Sequence, residues 1–206
     1  MTSPVFKFPQ PAELDITIIV VSFNTREILL RCLGSIKKHT QGISYEVIVV
    51  DNASEDGTVN TVVELFPEVE LISNKDNRGF SAANNQGIIA SKGRKIALLN
   101  PDTLLTENSF KKIKDFLEKH PDFSILGAGV VDKNNKPYPI RLWEDRPQDA
   151  VLKILGKYNA ENELTRMGPK LAREAKVISG CCFVITRDLV ESIGVMDENY
   201  FLYNEE

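Results

Sequence analysis

Four apolar runs, Asp15–Val21, Tyr45–Val50, Val69–Ser73 and Arg94–Leu99, each precede a stretch of helical periodicity, and this alternation leaves few folds open. Short continuous apolar runs between turn residues read as strands buried on both faces. Strands of that kind separated by helices predict an α/β fold, a mostly parallel sheet with helices on both sides. The helices are expected from about Thr25 to Lys38, from about Thr58 to Phe66, and over Ser81–Ser91 and Glu107–Lys119. In the first, Asn24 is placed to cap the N-terminus with Glu27 in the reciprocal position, and Ile28, Leu29, Leu33 and Ile36 form the apolar face. In the last, Phe110, Ile113, Phe116 and Leu117 do so. After Phe123–Val131 the alternation fails. Asp132–Ala175 is polar and proline-containing, and reads as an irregular excursion with a short helix near Gln148–Leu155. A strand over Val177–Thr186 and a helix over Arg187–Ile193 follow. The organisation expected is a tail over residues 1–13 and a single domain over 14–206, whose two halves meet at about 106.

Composition excludes several classes. A formal charge of −4 over 206 residues gives no electrostatic footprint for nucleic acid, so no nucleic-acid partner is expected. The three cysteines include the adjacent Cys181 and Cys182 and the distant Cys32, which suits neither a disulfide framework nor a metal site. No apolar stretch approaches the ~20 residues that span a bilayer. A cytoplasmic location is expected, compatible with docking at a membrane surface.

Chemistry is concentrated where the predicted strands end. Ser22-Phe23-Asn24 follows the first, Asp51-Asn52-Ala53-Ser54 the second, Asn74–Phe80 the third and Asn100-Pro101-Asp102 the fourth. In a parallel α/β sheet these ends open on one edge, where ligands bind. An aromatic, Phe23, with an acceptor-only carboxylate, Asp51, suits a flat heterocycle that donates an N–H. Arg78 beside Gly79 suits a phosphate, glycine permitting close backbone approach. Pro101 ends the fourth strand and leaves Asp102 at the sheet edge, where a divalent cation could bridge it to phosphate oxygens. Taken alone, each cluster reads as a turn or helix cap, and Asp102 before Thr103-Leu104-Leu105 reads most simply as an N-cap. Together they favour a nucleotide site. No GxGxxG or GxxxxGK[ST] is present, against dinucleotide and P-loop sites.

Val20-Val21-Ser22-Phe23-Asn24, Val50-Asp51-Asn52-Ala53-Ser54-Glu55-Asp56-Gly57-Thr58, Asn77-Arg78-Gly79-Phe80-Ser81-Ala82-Ala83-Asn84-Asn85 and Leu98-Leu99-Asn100-Pro101-Asp102 occur in that order. With Ser179-Gly180-Cys181-Cys182 and Met196–Glu206 they closely resemble the family 2 glycosyltransferases, nearest to the rhamnosyltransferase-like branch. The resemblance implies a GT-A fold and an inverting transfer of a sugar, rhamnose among the candidates, from a dTDP- or UDP-sugar to a hydroxyl acceptor in glycan biosynthesis. It implies that Phe23 lies against the base and Asp51 accepts its imide N–H. Ser22, Asn24 and Asn52 would belong to the same nucleotide-sugar site. Arg78 and the Gly79–Asn84 segment, with Phe80, would border the diphosphate and sugar. Asn100-Pro101-Asp102 stands in place of the DxD signature, leaving Asp102 as the one carboxylate for Mg²⁺ or Mn²⁺. Glu205-Glu206 stands where the family has a Glu-Asp pair, and either could be the general base, Glu206 by position. The acceptor implied is a glycan or a lipid-linked glycan, with peripheral contact at the inner membrane face. The family pattern continues past Glu206, so a truncated chain that binds nucleotide but transfers poorly is one expectation. The alternatives are a non-catalytic nucleotide-sugar-binding module and a sugar nucleotidyltransferase; the absence of a glycine-rich basic loop in Ile16–Thr25 argues against the latter.

Other residues have plainer readings. His39 and His120 each end a predicted helix, where an imidazole suits the dipole. Cys181 and Cys182 read as strand residues packing in the core. Trp143 is either an acceptor contact or core cover, and Lys111-Lys112-Lys114 a solvated helix face.

Overall fold

The computed structural model describes residues 14–132, 134, 178 and 180–201. The chain divides into two compact units, Met1–Leu126 with Gly180–Glu206, and Gly127–Ser179. In the second, the Asn134 N–H donates to the Asp132 carboxylate at 2.8 Å. The expected short helix near Gln148–Leu155 and Trp143 lie outside the described residues.

The first unit is built on a six-stranded sheet in the order β3-β2-β1-β4-β6-β5. Its strands are β1 (Ile16–Ser22), β2 (Tyr45–Asp51), β3 (Glu70–Ser73), β4 (Lys95–Leu99), β5 (Ile125–Gly127) and β6 (Cys182–Thr186). β1 runs parallel to β2 and β4, and β2 parallel to β3. β6 is antiparallel to β4, with Leu99 opposite Cys182. The helices are α1 (Arg26–His39), α2 (Thr58–Leu65), α3 (Gly79–Ala90), α4 (Ser109–Lys119) and α5 (Arg187–Ile193).

Burial explains the strand composition. β4 is buried throughout and β1 nearly so, which requires cover on both faces. Ile19, Ile48, Val50, Ile96 and Leu98 alternate onto one face and pack with Ala83 and Ile88 of α3 and Val190 of α5. Gly87 lets α3 approach closely, since a Cβ there would lie 2.5 Å from Ile19 Cγ2. On α1 the buried residues are Leu29, Cys32, Leu33 and Ile36. Ile28, expected on that face, is exposed; Cys32 takes the place one turn later that the helical repeat assigns. On α4, Phe110, Ile113 and Leu117 are buried. Three lysines of α4 pair with acids: Lys111 with Asp115, Lys112 with Glu107, and Lys114 with Glu118.

Helix starts differ from expectation for identifiable reasons. Thr25, not Asn24, is the N-cap of α1, because Asn24 has φ +53° and commits its side chain to the next loop. Glu27 pairs with Arg26 and does not close a capping box. α3 starts two residues before Ser81 because its first amides find partners outside the helix. α4 starts at Ser109, two residues later than Glu107. Cys181 sits in the turn before β6, not in the strand. His39 ends α1 as expected, and His120 follows α4, its ring 4.3 Å from that of Phe116.

Candidate functional site

The strand order reverses direction at β1, which has β2 on one side and β4 on the other, and this is the switch point where open α/β sheets bind ligands. β1 to β4 are mutually parallel, so their carboxyl ends share an edge. β6 is antiparallel and therefore brings its amino end, with Cys181, to the same edge.

At the ends of β1 and β2, Ser22 and Asp51 are register partners, and the Asn52 N–H donates to the Ser22 carbonyl at 2.8 Å. The Ser22 and Thr25 hydroxyls share a 2.9 Å hydrogen bond. Phe23, next in line, is 46% exposed, leaving its ring available as a stacking surface. Asp51 is fully buried; its Oδ2 accepts from the Ser54 N–H at 2.9 Å. Its Oδ1 is buried without a partner among the described residues. An orphaned buried acceptor costs about 1–3 kcal/mol, so this oxygen is one that a donor from outside the protein, water or ligand, can satisfy.

The two loops are clasped together. The Asn24 N–H donates to Ser54 Oγ and Asn24 Oδ1 accepts from the Glu55 N–H, both at 2.8 Å. Beyond them, Asp56 serves two helices at once. Its Oδ2 accepts from the Arg26 N–H at the start of α1, and its Oδ1 accepts from the N–H and hydroxyl of Thr58 at the start of α2. Burial pushes the Asp56 carboxyl up, but these bonds, with the Arg26 charge, outweigh it and hold the group below the ordinary carboxylate value.

The third cluster is organised by amides. Asn52 Nδ2 donates to the Gly79 carbonyl at 3.0 Å, and Asn74 Nδ2 donates to Asn52 Oδ1 at 2.9 Å. Asn74 and Gln86 exchange two further bonds, at 2.8 and 2.9 Å. Asn84, buried, bonds within its own helix to the Phe80 carbonyl. Asn52 and Asn84 therefore hold the frame. Arg78, the N-cap of α3, is exposed, and among the described residues no hydrogen bond or salt bridge engages its guanidinium. It is open to an anion.

Gly79 departs from the expectation attached to it. Its φ is +81°, and a Cβ there would fall 2.7 Å from the Phe201 carbonyl oxygen and 2.7 Å from the Phe201 ring. The close approach permitted at Gly79 is that of the chain's own Phe201. The Phe80 N–H donates to the same carbonyl at 2.8 Å, and Ser81 Oγ to that of Tyr200 at 3.0 Å. Asn85 holds Met196 by both main-chain groups, at 2.8 and 2.9 Å, and donates to Glu198. α3 thus cradles the segment that leads toward Glu205 and Glu206, which themselves lie outside the described residues. Sequence reasoning missed Asn74, Asn85 and Gln86 as organisers. Three consecutive amides, Asn84-Asn85-Gln86, inside a helix were the available signal, since buried amides require partners.

At the end of β4, the Asn100 N–H donates to the Cys181 carbonyl at 3.0 Å, and the Thr103 N–H closes a turn onto the Asn100 carbonyl at 3.1 Å. Thr103 Oγ1 donates to Cys181 as well. No helix starts at Thr103, so the N-cap reading of Asp102 does not hold; the next helix is α4, capped by Asn108. Asp102 is exposed on the turn, and among the described residues no hydrogen bond or salt bridge engages its carboxylate. Burial, with the Asp102 charge adding, pushes the Cys32 thiol up to about 12, and burial pushes Cys182 up to about 12. Neither is a nucleophile near neutral pH.

Among the described residues no three acids, histidines or cysteines converge as a metal cage. A cage is not what a nucleotide-associated divalent ion needs: one or two carboxylates plus phosphate oxygens suffice. Asp102, exposed and unengaged, fits that donor set. Among the described residues no helix is long and apolar enough to cross a membrane.

Comparison with known proteins gives a consistent result. The family model described as Glycosyl transferase family 2 matches residues 17–194. An N-acetylglucosaminyl-diphospho-decaprenol L-rhamnosyltransferase of Mycobacterium tuberculosis is 26% identical over 92% of this chain and 67% of its own length. The minor teichoic acid biosynthesis protein GgaB of Bacillus subtilis is 28% identical over 90% of this chain but only 19% of its own. Among solved structures, S. aureus TarS residues 1–349 superpose with a TM-score of 0.67 at 15% identity, covering 93% of this chain and 53% of that one. The mannosyltransferase PcManGT of Pyrobaculum calidifontis, solved with GDP-Man and Mn²⁺, gives 0.62 at 20% identity, covering 96% and 52%. The chain thus spans about half the length of these solved neighbours, and the shared fold is GT-A.

Proposed function

This chain belongs to glycosyl transferase family 2, and on that premise we propose that it moves a sugar from a pyrimidine nucleotide-diphosphate donor to an acceptor hydroxyl, with inversion. The observation that carries the donor half is the buried Asp51 Oδ1, unpartnered among the described residues, on a strand end whose register partner Ser22 precedes the exposed Phe23. A uracil or thymine stacked on Phe23 presents an imide N–H to that oxygen; guanine offers a different edge. Arg78, exposed and unpaired among the described residues, takes the diphosphate. Asp102 would hold Mg²⁺ or Mn²⁺, which supplies Lewis-acid stabilisation of charge on the departing diphosphate.

Transfer forms a bond from the acceptor oxygen to the anomeric carbon as the bond from that carbon to the diphosphate oxygen breaks. The acceptor proton goes to a carboxylate of the Glu205-Glu206 pair, assigned to Glu206 from its place in the family pattern. The mycobacterial relative is named for a rhamnosyl transfer to a lipid-linked glycan, which supports rhamnose as donor sugar and a lipid-linked acceptor. That acceptor class brings the chain to the cytoplasmic face of a membrane as a peripheral protein.

The test is turnover of a panel of nucleotide sugars with Mn²⁺ present. UDP- or dTDP-sugars should be consumed, with guanosine nucleotides competing poorly. Equal competition by guanosine nucleotides, or neither binding nor turnover of any donor, refutes the reading.

A further inference from the structure

The amide groups of Asn52, Asn74 and Gln86 form a continuous chain from the end of β2 to the second turn of α3. We propose that Asn74 is a positioning residue that holds the base-reading end and the diphosphate end of the donor cleft at a fixed separation. This rests on the donor reading above. One end of the cleft is Asp51, whose carbonyl accepts from the Asn74 main-chain N–H at 2.8 Å. The other is the turn Asn77-Arg78-Gly79, whose Gly79 carbonyl accepts from Asn52. Asn74 stands between them with three of its amide's four hydrogen-bonding positions filled: both Nδ2 hydrogens are donated, to Asn52 Oδ1 and Gln86 Oε1, and Oδ1 accepts from Gln86 Nε2.

The direction of each bond matters. Asn74 donates to Asn52 Oδ1, which fixes the Asn52 amide with its nitrogen toward Gly79. Without Asn74 that amide is free to turn its oxygen toward the Gly79 carbonyl, which repels it, and the first turn of α3 loses its tie to β2. Gln86 in turn fixes the Asn74 side chain through a reciprocal pair, a geometry a single bond would not define. Arg78 lies on the tied turn, so its distance from Asp51 is set by this chain although neither residue belongs to it. A ligand that spans both ends, a nucleoside diphosphate, reads that distance. A ligand confined to one end, a nucleoside, does not.

The experiment compares UDP with uridine, by calorimetric titration of the 206-residue chain and of Asn74→Ala and Gln86→Met. Both variants should weaken UDP about tenfold while changing uridine affinity less than twofold, and the double variant should lose little more than the worse single one, as members of one unit do. Equal loss for UDP and uridine, or no loss for UDP, overturns the proposal. Amide hydrogen exchange supplies a second measurement that needs no nucleotide: protection of the Phe80 N–H should fall about tenfold in both variants before protection across β1 changes. Unchanged Phe80 protection overturns the proposal on its own. If wild type binds neither UDP nor uridine, the donor reading fails, and the exchange result still decides whether the amide chain fixes α3.

Discussion

Gly79 lies directly against Phe201, so closely that the main chain of one occupies the space a side chain on the other would need. This contact joins the start of α3 to a segment more than a hundred residues later, and Phe80, Ser81 and Asn85 extend it along the helix. One helix thereby joins Arg78, at its N-cap, to the segment that ends at Phe201.

Gly79→Ala should therefore loosen the 195–201 segment. The substitution places a Cβ at positive φ, which costs roughly 1–2 kcal/mol, and it also displaces Phe201. Chymotryptic cleavage at Tyr200 and Phe201 should accelerate about tenfold while the urea midpoint shifts modestly. Unaltered cleavage would mean the segment is held by something other than α3.

Asp56 predicts an acid-sensitive joint between two helix starts. Its folded-state carboxyl is held below the ordinary value by the Thr58 and Arg26 bonds against the opposing effect of burial. The stabilisation it supplies is thus present above the unfolded value, near ~3.9, and is lost as pH falls through the lower folded value. Asp56→Ala should destabilise the chain by about 1–2 kcal/mol at pH 7, the worth of a helix cap. In denaturant titrations the gap from wild type should close as pH falls through the lowered folded value. A gap that persists into strong acid would show that the carboxylate charge is not involved.

Arg187 predicts a large loss at the opposite end of the sheet. Its buried guanidinium donates to the Gly93 carbonyl and to the carbonyl and hydroxyl of Ser91, all at 2.8–2.9 Å. Desolvation lowers its pKa, yet the group stays charged because its ordinary value is so high. Removing it as Arg187→Met strands those acceptors and should cost about 3 kcal/mol in urea unfolding, roughly one per orphaned bond. Arg187→Lys should recover only part, since an ammonium cannot span the same fork. Full recovery by lysine would reduce the role to charge alone.

How much of this could be read in advance divides by range. Strands such as Tyr45–Asp51 and Lys95–Leu99 are local statements, continuous apolar runs with sharp ends, and they emerge within a residue of expectation. Helix starts at α1 and α3 depend on partners far along the chain, Asp56 and Phe201, which periodicity cannot reveal. The antiparallel β6 is likewise invisible locally, yet it explains why the Cys181 carbonyl holds the Asn100 turn. At the candidate site, what was legible was the placement of Phe23, Asp51, Arg78 and Asp102 at or just after the ends of strands. The division between groups left open for a ligand and groups committed to the frame was not, because Asn52, Asn84 and Gly79 carry the same chemistry as ligand contacts until their partners are known.

A titration of UDP and uridine with and without Mn²⁺, on wild type and on Asp102→Ala, tests whether this sheet edge binds the donor. Mn²⁺ should strengthen UDP but not uridine binding in wild type, and Asp102→Ala should abolish the Mn²⁺ effect while leaving uridine affinity nearly intact. Equal loss of UDP and uridine affinity in Asp102→Ala would make Asp102 a structural turn residue and contradict the assignment of this sheet edge as the donor site.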